Sequence, residues 1–481
     1  MFKTIGVFIL GIFSVFYAQD KIEQALNTFN IPGAVVGVVV DGEIVFAKGY
    51  GFRDQRLPMT EKSVFGIGSC TKAFTAFVLG QLVDEQLVKW DDRVVQYIPE
   101  FRLWDDLATQ NATIRDLLAH RTGCAGHNFL VFNSSLSRKE LIERLQYLEL
   151  VDTFRNKYHY SNLMYAVAGH LIERVTGKTW EEVVKEKIFD PLHMESAQFT
   201  SLSEDYAENY FYLANEGVFS PCPKHKTTFV APANGINASL LDMLKWIQLQ
   251  LSDGAVSGQC IINKKTFREM HSPQIGVSEP MLPPVSIEHY GLGWRIGSYG
   301  NKEIVTHSGT RDGFQTQIIL IPSKKIGVIV ATNCTIIAGM PLIREKYFIS
   351  AVSNMILDEL LNNKPVDWIA QFAKMYVHKK ASNKWMNSKQ NRLVCSNLSQ
   401  YVGTYVHPGY GTLQISGESR LVATYGDIHS LLCYQGADKF HGEEYAFSGV
   451  LFAFKRNMFH EVHELYVSLE PSLQPIMFVR E

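Results

Sequence analysis

The chain has 481 residues, of which 46% are hydrophobic and 20% charged, and its formal net charge is −2. This balance is typical of a folded globular protein with more than one domain and excludes a disordered chain. The nearly neutral charge gives no reason to expect nucleic acid or an anionic membrane as a partner.

The first 18 residues predict a secretory signal peptide. Lys3 precedes an apolar run from Ile5 to Tyr17, and Ala18 offers a small residue at the cleavage point. This run is shorter than the roughly 20 apolar residues that a membrane-spanning helix needs. We therefore expect a secreted, extracellular protein, with a membrane-tethered form as the alternative.

Asn-x-Ser/Thr sequons agree with export, because this motif accepts glycans in secreted proteins. The sequons that we expect to carry glycans are Asn111, Asn133, Asn333 and Asn397. The seven cysteines are spread widely with no Cys-x-x-Cys pair, which argues against a zinc site and leaves at least one thiol unpaired. Cys70 is the best candidate for a buried free thiol.

Apolar periodicity predicts a mixed arrangement of strands and helices in the first 360 residues. Strands are predicted at Ala34–Val40, Ile44–Lys48, Ile304–Val305, Gln317–Ile321 and Gly327–Ala331. Helices are predicted over 20–30, from Ser69 onward, over Met164–Thr176 and over Leu240–Leu251. Strands at both ends with helices between them predict one sheet assembled from distant parts of the chain.

The composition changes near residue 363. Residues 341–378 look helical, and residues 379–392 are polar and basic, as a linker would be. Beyond about residue 396, short alternating runs recur roughly every 8–12 residues, which is typical of a small all-β domain. The seven runs are Tyr401–Val406, Thr412–Ile415, Leu421–Tyr425, Leu431–Tyr434, Phe447–Phe454, Leu465–Leu469 and Ile476–Val479. We therefore divide the chain into a signal peptide (1–18), a large mixed domain (19–362), a helical and basic linker (363–395) and a small β-domain (396–481).

Ser69 and Lys72 form a pair suited to nucleophilic catalysis. A serine hydroxyl is a weak nucleophile at neutral pH, so it needs a base within hydrogen-bond reach. If Ser69 opens a helix, Lys72 lies on the same face one turn later, and the positive end of the helix disfavours a protonated lysine. The alternative is a capping serine next to a surface lysine.

Two further segments supply groups that such a nucleophile requires. Tyr160 and Asn162 are two residues apart and can project from one side of an extended loop. His307-Ser308-Gly309-Thr310 follows a strand, so that an imidazole faces the cleft, a glycine leaves room for substrate and a backbone N–H can stabilise an oxyanion. Tyr299-Gly300-Asn301 and His407-Pro408-Gly409 repeat the same short patterns, but the first is typical of a hairpin turn and the second lies in the small β-domain.

The sequence around each motif distinguishes the candidate site motifs from these repeated short patterns. In order, the chain contains GSCTKAFTAFVLGQLVDEQLVKWDD, ATIRDLLAHRTG, YSNLMYAVAGHLIERVTG, PANGINASLLDMLKWI, YGLGW and HSGTRDGF. This series resembles the serine β-lactamase and penicillin-binding-protein superfamily, in particular its class C and D-aminopeptidase/esterase branch. The resemblance covers roughly residues 20–360, and the segment YVGTYVHPGYGTLQI is similar to the small barrel-like domain appended to many relatives.

The resemblance implies an α/β (α+β) fold in which an antiparallel sheet is flanked by helices, with an all-helical subdomain and a small barrel-like β-domain. It also implies the role of each candidate residue. Ser69 would be acylated, Lys72 and Tyr160 would share proton transfer, and Asn162 would orient substrate or Lys72. His307 would line the cleft wall, with Ser308 and Gly309 contacting substrate. The backbone N–H groups of Ser69 and Thr310 would form the oxyanion hole.

Residues 234–241 would then lie near the active-site face and begin a helix, so we expect no glycan on Asn237. His120 and His127 are expected to be structural. The pattern His460-Glu461-Val462-His463 indicates alternation on a terminal strand more than a metal site. We expect no metal and no cofactor.

His307 departs from the family pattern, because many β-lactamases and penicillin-binding proteins carry a lysine at this place. A lysine is a fixed cation that can hold a substrate carboxylate, whereas histidine is mostly neutral at pH 7. We therefore expect a secreted serine hydrolase that acts on peptide, amide or ester bonds, and not an efficient β-lactamase. The alternative is a secreted extracellular-matrix or binding protein that keeps the fold without turnover.

Overall fold

The computed structural model describes residues 19–481 except Ser134, 201–202, 214–217, 223–228, 257, 336–343, 384–394 and 396. The predicted signal peptide lies outside the described residues. A helix over 19–29 begins the described chain.

An eight-stranded antiparallel sheet forms the centre of the larger part of the molecule, and it contains the five strands that the sequence predicts in one sheet. Its strands lie in the spatial order Glu43–Gly51, Gly33–Val40, Ile326–Thr332, Phe314–Ile321, Lys302–Arg311, Arg295–Tyr299, Val285–Tyr290 and Ile275–Gly276. Gly33–Val40 pairs with Ile326–Thr332, so the strands of this sheet that come first and last along the chain are neighbours.

Both faces of the sheet are covered, because successive side chains of a strand point to opposite faces. Val36 and Val38 pack against the helices over 19–29, Arg344–Leu360 and Trp368–Asn383. Val35 and Val39 belong to a second core on the other face, which includes the two helices next described.

The second face carries the helices that surround the candidate site. Leu240–Leu251 packs directly on the sheet, and Thr71–Asp84 lies in the same core. The remaining helices of this part are Asp106–Asn111, Ile114–Leu118, Arg138–Arg144, Asn162–Thr176, Trp180–Val184, Ala231–Asn234 and Lys264–Met270, with a π-helical turn at Lys185–Phe189. A short ladder joins Val64–Gly66 to Asn237–Ser239. The other short strands are Tyr210–Leu213, Val218–Pro221, Ala255–Val256, Gln259–Cys260 and Cys334–Thr335.

The C-terminal part closes into an eight-stranded antiparallel barrel, which confirms the small all-β domain. Its strands are Gly403–His407, Gly411–Ser416, Val422–Tyr425, Ile428–Gly436, Lys439–Gly442, Leu451–Arg456, Val462–Val467 and Ile476–Arg480. The sequence indicates only seven of them. The sequence pattern does not indicate the strand Lys439–Gly442, because this strand contains a single large apolar residue, Phe440.

Several smaller expectations can be compared with this fold. Tyr299 and Asn301 flank a hairpin turn, and His463 lies on a barrel strand. Across the described ranges, no group of three or more His, Cys, Asp or Glu residues is arranged to hold a metal. Cys70 is a buried free thiol, as expected. None of the described helices has the length and apolar character to cross a bilayer.

Two sequons lie inside the folded core. Asn237 is buried, in agreement with our expectation that it carries no glycan. Asn333 corrects our expectation, because it is also buried and its Nδ2 donates hydrogen bonds to the backbone carbonyls of Phe52, Arg53 and Glu208. A glycan at Nδ2 would break these bonds and has no room, so Asn333 is not a glycosylation site of the folded chain.

Candidate active site

Ser69 lies in a short 3₁₀ turn, Gly68–Cys70, that runs directly into helix Thr71–Asp84. Gly68 has a φ of +52°, and a Cβ there would lie 2.6 Å from the backbone nitrogen of Thr310. Both the left-handed backbone and the close approach therefore require glycine. This turn holds Ser69 against the strand that carries the His307 motif.

Lys72 follows one turn later and is fully buried. Its Nζ lies 3.1 Å from Oγ of Ser69, 2.7 Å from Oδ1 of Asn162 and 3.0 Å from the carbonyl oxygen of Ala233. A neutral amine has two N–H donors and one lone pair. The two oxygens that can only accept use both donors, which leaves the lone pair for the hydroxyl of Ser69.

The surroundings of Lys72 also favour the neutral amine. Burial, followed by the charge of the nearby Arg295 guanidinium, holds the pKa of Lys72 well below its ordinary value. A neutral lysine can accept a proton, whereas a charged ammonium cannot. The structure therefore places a base beside the hydroxyl at the distance that proton transfer requires.

Tyr160 completes this cluster. Nζ of Lys72 lies 4.6 Å from the centroid of its ring. Burial raises the pKa of Tyr160 to about 12, although the charge of Arg295 and a hydrogen bond with Ser69 act in the opposite direction. The phenol is therefore protonated in the resting site and is a proton donor beside a neutral amine.

His120 fixes the turn that carries Tyr160 and Asn162. The backbone N–H of Ser161 donates to Nδ1 of His120 over 3.1 Å, and the imidazole lies 4.5 Å from the ring of Tyr160. Burial holds the pKa of His120 well below its ordinary value, so the ring stays neutral and Nδ1 can accept. The expected structural role of His120 agrees with this position under the site.

The backbones of Gly68 and Gly309 touch, which brings two N–H groups together. A Cβ on Gly309 would lie 1.9 Å from the carbonyl oxygen of Ile67 and 2.8 Å from the backbone nitrogen of Ser69. No side chain fits at either glycine. This contact brings the backbone nitrogens of Ser69 and Thr310 close together, which an oxyanion hole formed by their N–H groups requires.

His307 differs from our expectation that it faces an open cleft. The ring is fully buried. Its Nδ1 lies 2.7 Å from the carbonyl oxygen of Ser308 and therefore carries the proton, and Nε2 accepts a hydrogen bond from the hydroxyl of Tyr290 over 2.9 Å. Burial, with the charges of Arg295 and Lys72, holds the pKa of His307 well below its ordinary value. His307 is thus a neutral group that supports the wall of the site.

Arg295 is a residue of this site that sequence reasoning missed. Its guanidinium lies 5.5 Å from the ring centroid of Tyr160, and its NH1 lies 3.5 Å from Nε2 of His307. Nε is paired with Glu279 at 3.1 Å. The available signal was its place directly after the YGLGW block, which ends at Trp294.

A cavity of about 400 Å³ opens beside the strand that carries the His307 motif. It lies between this strand, the segment after Val277 and helix Arg344–Leu360. Its polar lining side chains are Glu279, Arg295, Thr306, Ser308, Thr310, Gln315, Gln317, Lys346, Ser350 and Asn354. Ser308 lines this cavity, but Ser69, Lys72 and Tyr160 do not, so the cavity does not place Ser308 beside the nucleophile. Its role as a substrate contact stays a prediction.

Comparison with known proteins agrees with this geometry. The family described as Beta-lactamase matches residues 18–340. An unguisins hydrolase (ungD') of Aspergillus campestris is 30% identical over 85% of this chain and 79% of its own length. Protein flp of Staphylococcus aureus is 25% identical over 65% of this chain and 61% of its own length.

Solved structures show the same fold. The octameric penicillin-binding protein homologue from Pyrococcus abyssi has a TM-score of 0.62 and 22% identity, covering 96% of this chain and 99% of that one. The D-amino acid amidase from Ochrobactrum anthropi SV3 has a TM-score of 0.59 and 21% identity, covering 72% of this chain and 97% of that one. The family match over two thirds of the sequence and the 30% identical unguisins hydrolase show that the chain belongs to the Beta-lactamase family of serine hydrolases.

Proposed function

We propose that the protein hydrolyses peptide, amide or ester bonds through an acyl-enzyme formed on Ser69. The observation that carries the proposal is the buried amine of Lys72, 3.1 Å from Oγ of Ser69 and held from behind by Asn162 and Ala233. Because both N–H groups of the amine are used by oxygens, its lone pair is directed to the hydroxyl. This arrangement activates a serine without histidine or metal.

Each step of acylation then has a residue assigned to it. Oγ of Ser69 attacks the carbonyl carbon while its proton passes to Nζ of Lys72. The N–H groups of Ser69 and Thr310 stabilise the oxygen that becomes negative. Tyr160 then protonates the leaving nitrogen or oxygen as the bond to carbon breaks, and Lys72 returns a proton to the phenolate.

Deacylation repeats these transfers with water as the nucleophile. Water gives a proton to the Tyr160–Lys72 pair as its oxygen bonds to the acyl carbon, and the ester bond to Oγ breaks. A proton from the pair restores the hydroxyl of Ser69, and the carboxylic acid leaves. No redox partner or additional group is required.

Two observations support an amide, peptide or ester over a β-lactam. His307 is neutral and buried, and the neighbouring Arg295 cation is already paired with Glu279, so neither is a free cation for a substrate carboxylate. Two unguisins hydrolases are among the curated relatives, and their similarity extends over 85% and 86% of this chain. We propose a substrate of this amide or ester class.

A fluorescent fluorophosphonate tests the nucleophile, because it reacts with an activated serine hydroxyl by displacement of fluoride. We expect the wild-type chain to be labelled and a tryptic peptide that contains Ser69 to carry the adduct. Ser69→Ala should abolish labelling, and Ser252→Ala, an exposed matched control, should not change it. A folded wild-type protein that is not labelled would contradict the proposal and favour a binding protein without turnover.

We also propose that the protein is exported and processed at its N-terminus. The support is the cation, apolar run and small residue in the first 18 positions, with sequons at partly or fully exposed Asn111, Asn133 and Asn397. Mass spectrometry of protein expressed in a eukaryotic secretory host should show a new N-terminus near residue 19. A chain that keeps the apolar segment would contradict cleavage.

A further inference from the structure

The barrel touches the catalytic part at a loop that borders the candidate site. This loop, residues 124–132, follows the segment of His120 and contains a 3₁₀ turn at Asn128–Phe132. Two barrel contacts hold its second half: the N–H of Asp427 donates to the carbonyl of Phe132 over 2.8 Å, and the rings of Phe129 and Phe447 lie 5.4 Å apart. Leu130 belongs to the same continuous core as the barrel interior.

His127 is the point at which barrel side chains hold the first half of the loop. Its backbone N–H donates to Oε2 of Glu470 over 2.7 Å. Its Nε2 lies 3.0 Å from the carbonyl of Glu149, so this nitrogen carries the proton, and Nδ1 accepts from the hydroxyl of Tyr410 over 2.8 Å. His127, Tyr410 and Glu470 are all buried. Every polar group of this histidine is therefore used.

The residue after His127 reaches the catalytic cluster. Nδ2 of Asn162 donates to Oδ1 of Asn128 over 3.1 Å, and Oδ1 of the same Asn162 accepts from Nζ of Lys72 over 2.7 Å. The contact with Asn128 fixes which end of the Asn162 amide faces the lysine. If this amide rotated, it would present N–H groups to Lys72 and compete for its lone pair.

We propose that the C-terminal barrel is a positioning element of the active site, in which Glu470 and Tyr410 hold His127 and thereby set Asn128 against Asn162. Glu470 and Tyr410 are positioning residues, since they act through the loop and contact no reacting atom. The assignment rests on the proposed function in so far as it concerns the reactivity of Ser69. It makes the catalytic part dependent on a domain that contributes no reacting group.

The first test measures the second-order rate of Ser69 labelling by a fluorophosphonate. Glu470→Ala and Tyr410→Phe should each slow labelling about tenfold, since each removes a buried hydrogen bond that fixes the loop. Tyr405→Phe is the matched control, because Tyr405 is buried in the barrel and its hydroxyl donates only to the carbonyl of Tyr401 over 2.9 Å. It should weaken the barrel comparably and leave labelling unchanged. Equal slowing by all three variants would overturn the proposal.

Two further variants separate positioning from general stability. Glu470→Gln keeps an acceptor for the N–H of His127, so it should retain most of the labelling rate of the wild type. This variant also tests the proposal if Glu470→Ala does not fold. In an Asn128→Ala background, Tyr410→Phe should have almost no further effect, because the link to Asn162 is already absent. The proposal would be contradicted if Glu470→Gln slowed labelling as much as Glu470→Ala does. It would also be contradicted if Tyr410→Phe slowed labelling by the same factor with and without Asn128→Ala.

A second measurement does not depend on activity. Amide hydrogen exchange over residues 124–132 should become faster in Glu470→Ala and remain slow in Tyr405→Phe. If the wild type is not labelled at all, the proposed function fails, and exchange alone then decides whether the barrel holds the loop. Unchanged exchange in Glu470→Ala would overturn the inference by itself.

Discussion

The guanidinium of Arg295 lies 3.5 Å from Nε2 of His307, so a cation from the neighbouring strand stands beside a histidine that stays neutral. Family members that carry lysine in place of His307 have the positive charge on the motif strand itself. In this chain the charge has a different origin and is paired with Glu279. The positive charge of Arg295 acts on Lys72 and Tyr160 from one side of the site and lowers the pKa of each.

Arg295→Gln should move the acid limb of the pH–rate profile to higher pH. Removal of the positive charge lets Lys72 hold its proton longer, so the amine becomes neutral only at a pH about one unit higher. Fluorophosphonate labelling between pH 5 and pH 10 would measure the change. Arg295→Lys retains a cation and should keep the limb near its wild-type position, and an unchanged limb in Arg295→Gln would show that the guanidinium does not act on the base.

Tyr160→Phe should slow acylation by about 10²–10⁴-fold, because it removes the proton donor for the leaving group. The loss should be smallest for aryl esters whose leaving group needs no proton and largest for alkyl esters and amides. Rates for a leaving-group series provide the measurement. The matched control is Tyr158→Phe, since the hydroxyl of Tyr158 is buried nearby without a hydrogen-bond partner. An equal loss across the series would argue against proton donation by Tyr160.

Gly309→Ala should destabilise the fold by about 2 kcal/mol or more and abolish labelling. The new Cβ would lie 1.9 Å from the carbonyl of Ile67 and push the strand away from Ser69. Gly276→Ala is the control on an exposed edge strand, where the nearest atom lies 4.0 Å away. Urea unfolding midpoints and labelling rates measure both effects, and a stable, reactive Gly309→Ala protein would refute the close contact.

Acid should destabilise the protein through its buried histidines. Burial lowers the pKa of His271 to about 3, and burial also lowers the pKa values of His120 and His307. Between about pH 6.5 and the folded pKa, the unfolded chain binds protons that the folded chain does not. The free energy of unfolding therefore decreases as the pH is lowered through this window, by about 1.4 kcal/mol per pH unit for each histidine.

His271→Gln isolates one such contribution. Nε2 of His271 lies 3.1 Å from Oε1 of Gln250, a bond that a glutamine amide can also donate. The variant should be less stable at pH 7 but lose less stability between pH 7 and pH 5 than the wild type does. Urea unfolding at the two pH values checks this, and parallel losses in the two proteins would show that His271 is already charged when folded.

The sequence by itself determined the local elements and the pairs of residues that those elements bring together. One helical turn joins Ser69 to Lys72, and a short loop joins Tyr160 to Asn162, because backbone geometry fixes the distance between such neighbours. Alternating apolar residues likewise indicated the sheet and most of the barrel. Ordered blocks of sequence then indicated the family, and their order predicted that these segments meet.

Only the tertiary structure decided which other residues lie in or next to the site, and which residues predicted from the sequence do not have the expected role. Arg295 enters from a neighbouring strand, and Glu470 acts on the loop of His127 from 343 residues away along the chain. Asn333 is excluded as a glycosylation site because it is buried. His307 is also buried and is a neutral side chain in the wall of the site. Local periodicity carries no information on such contacts, because burial and pairing depend on how whole elements pack against one another.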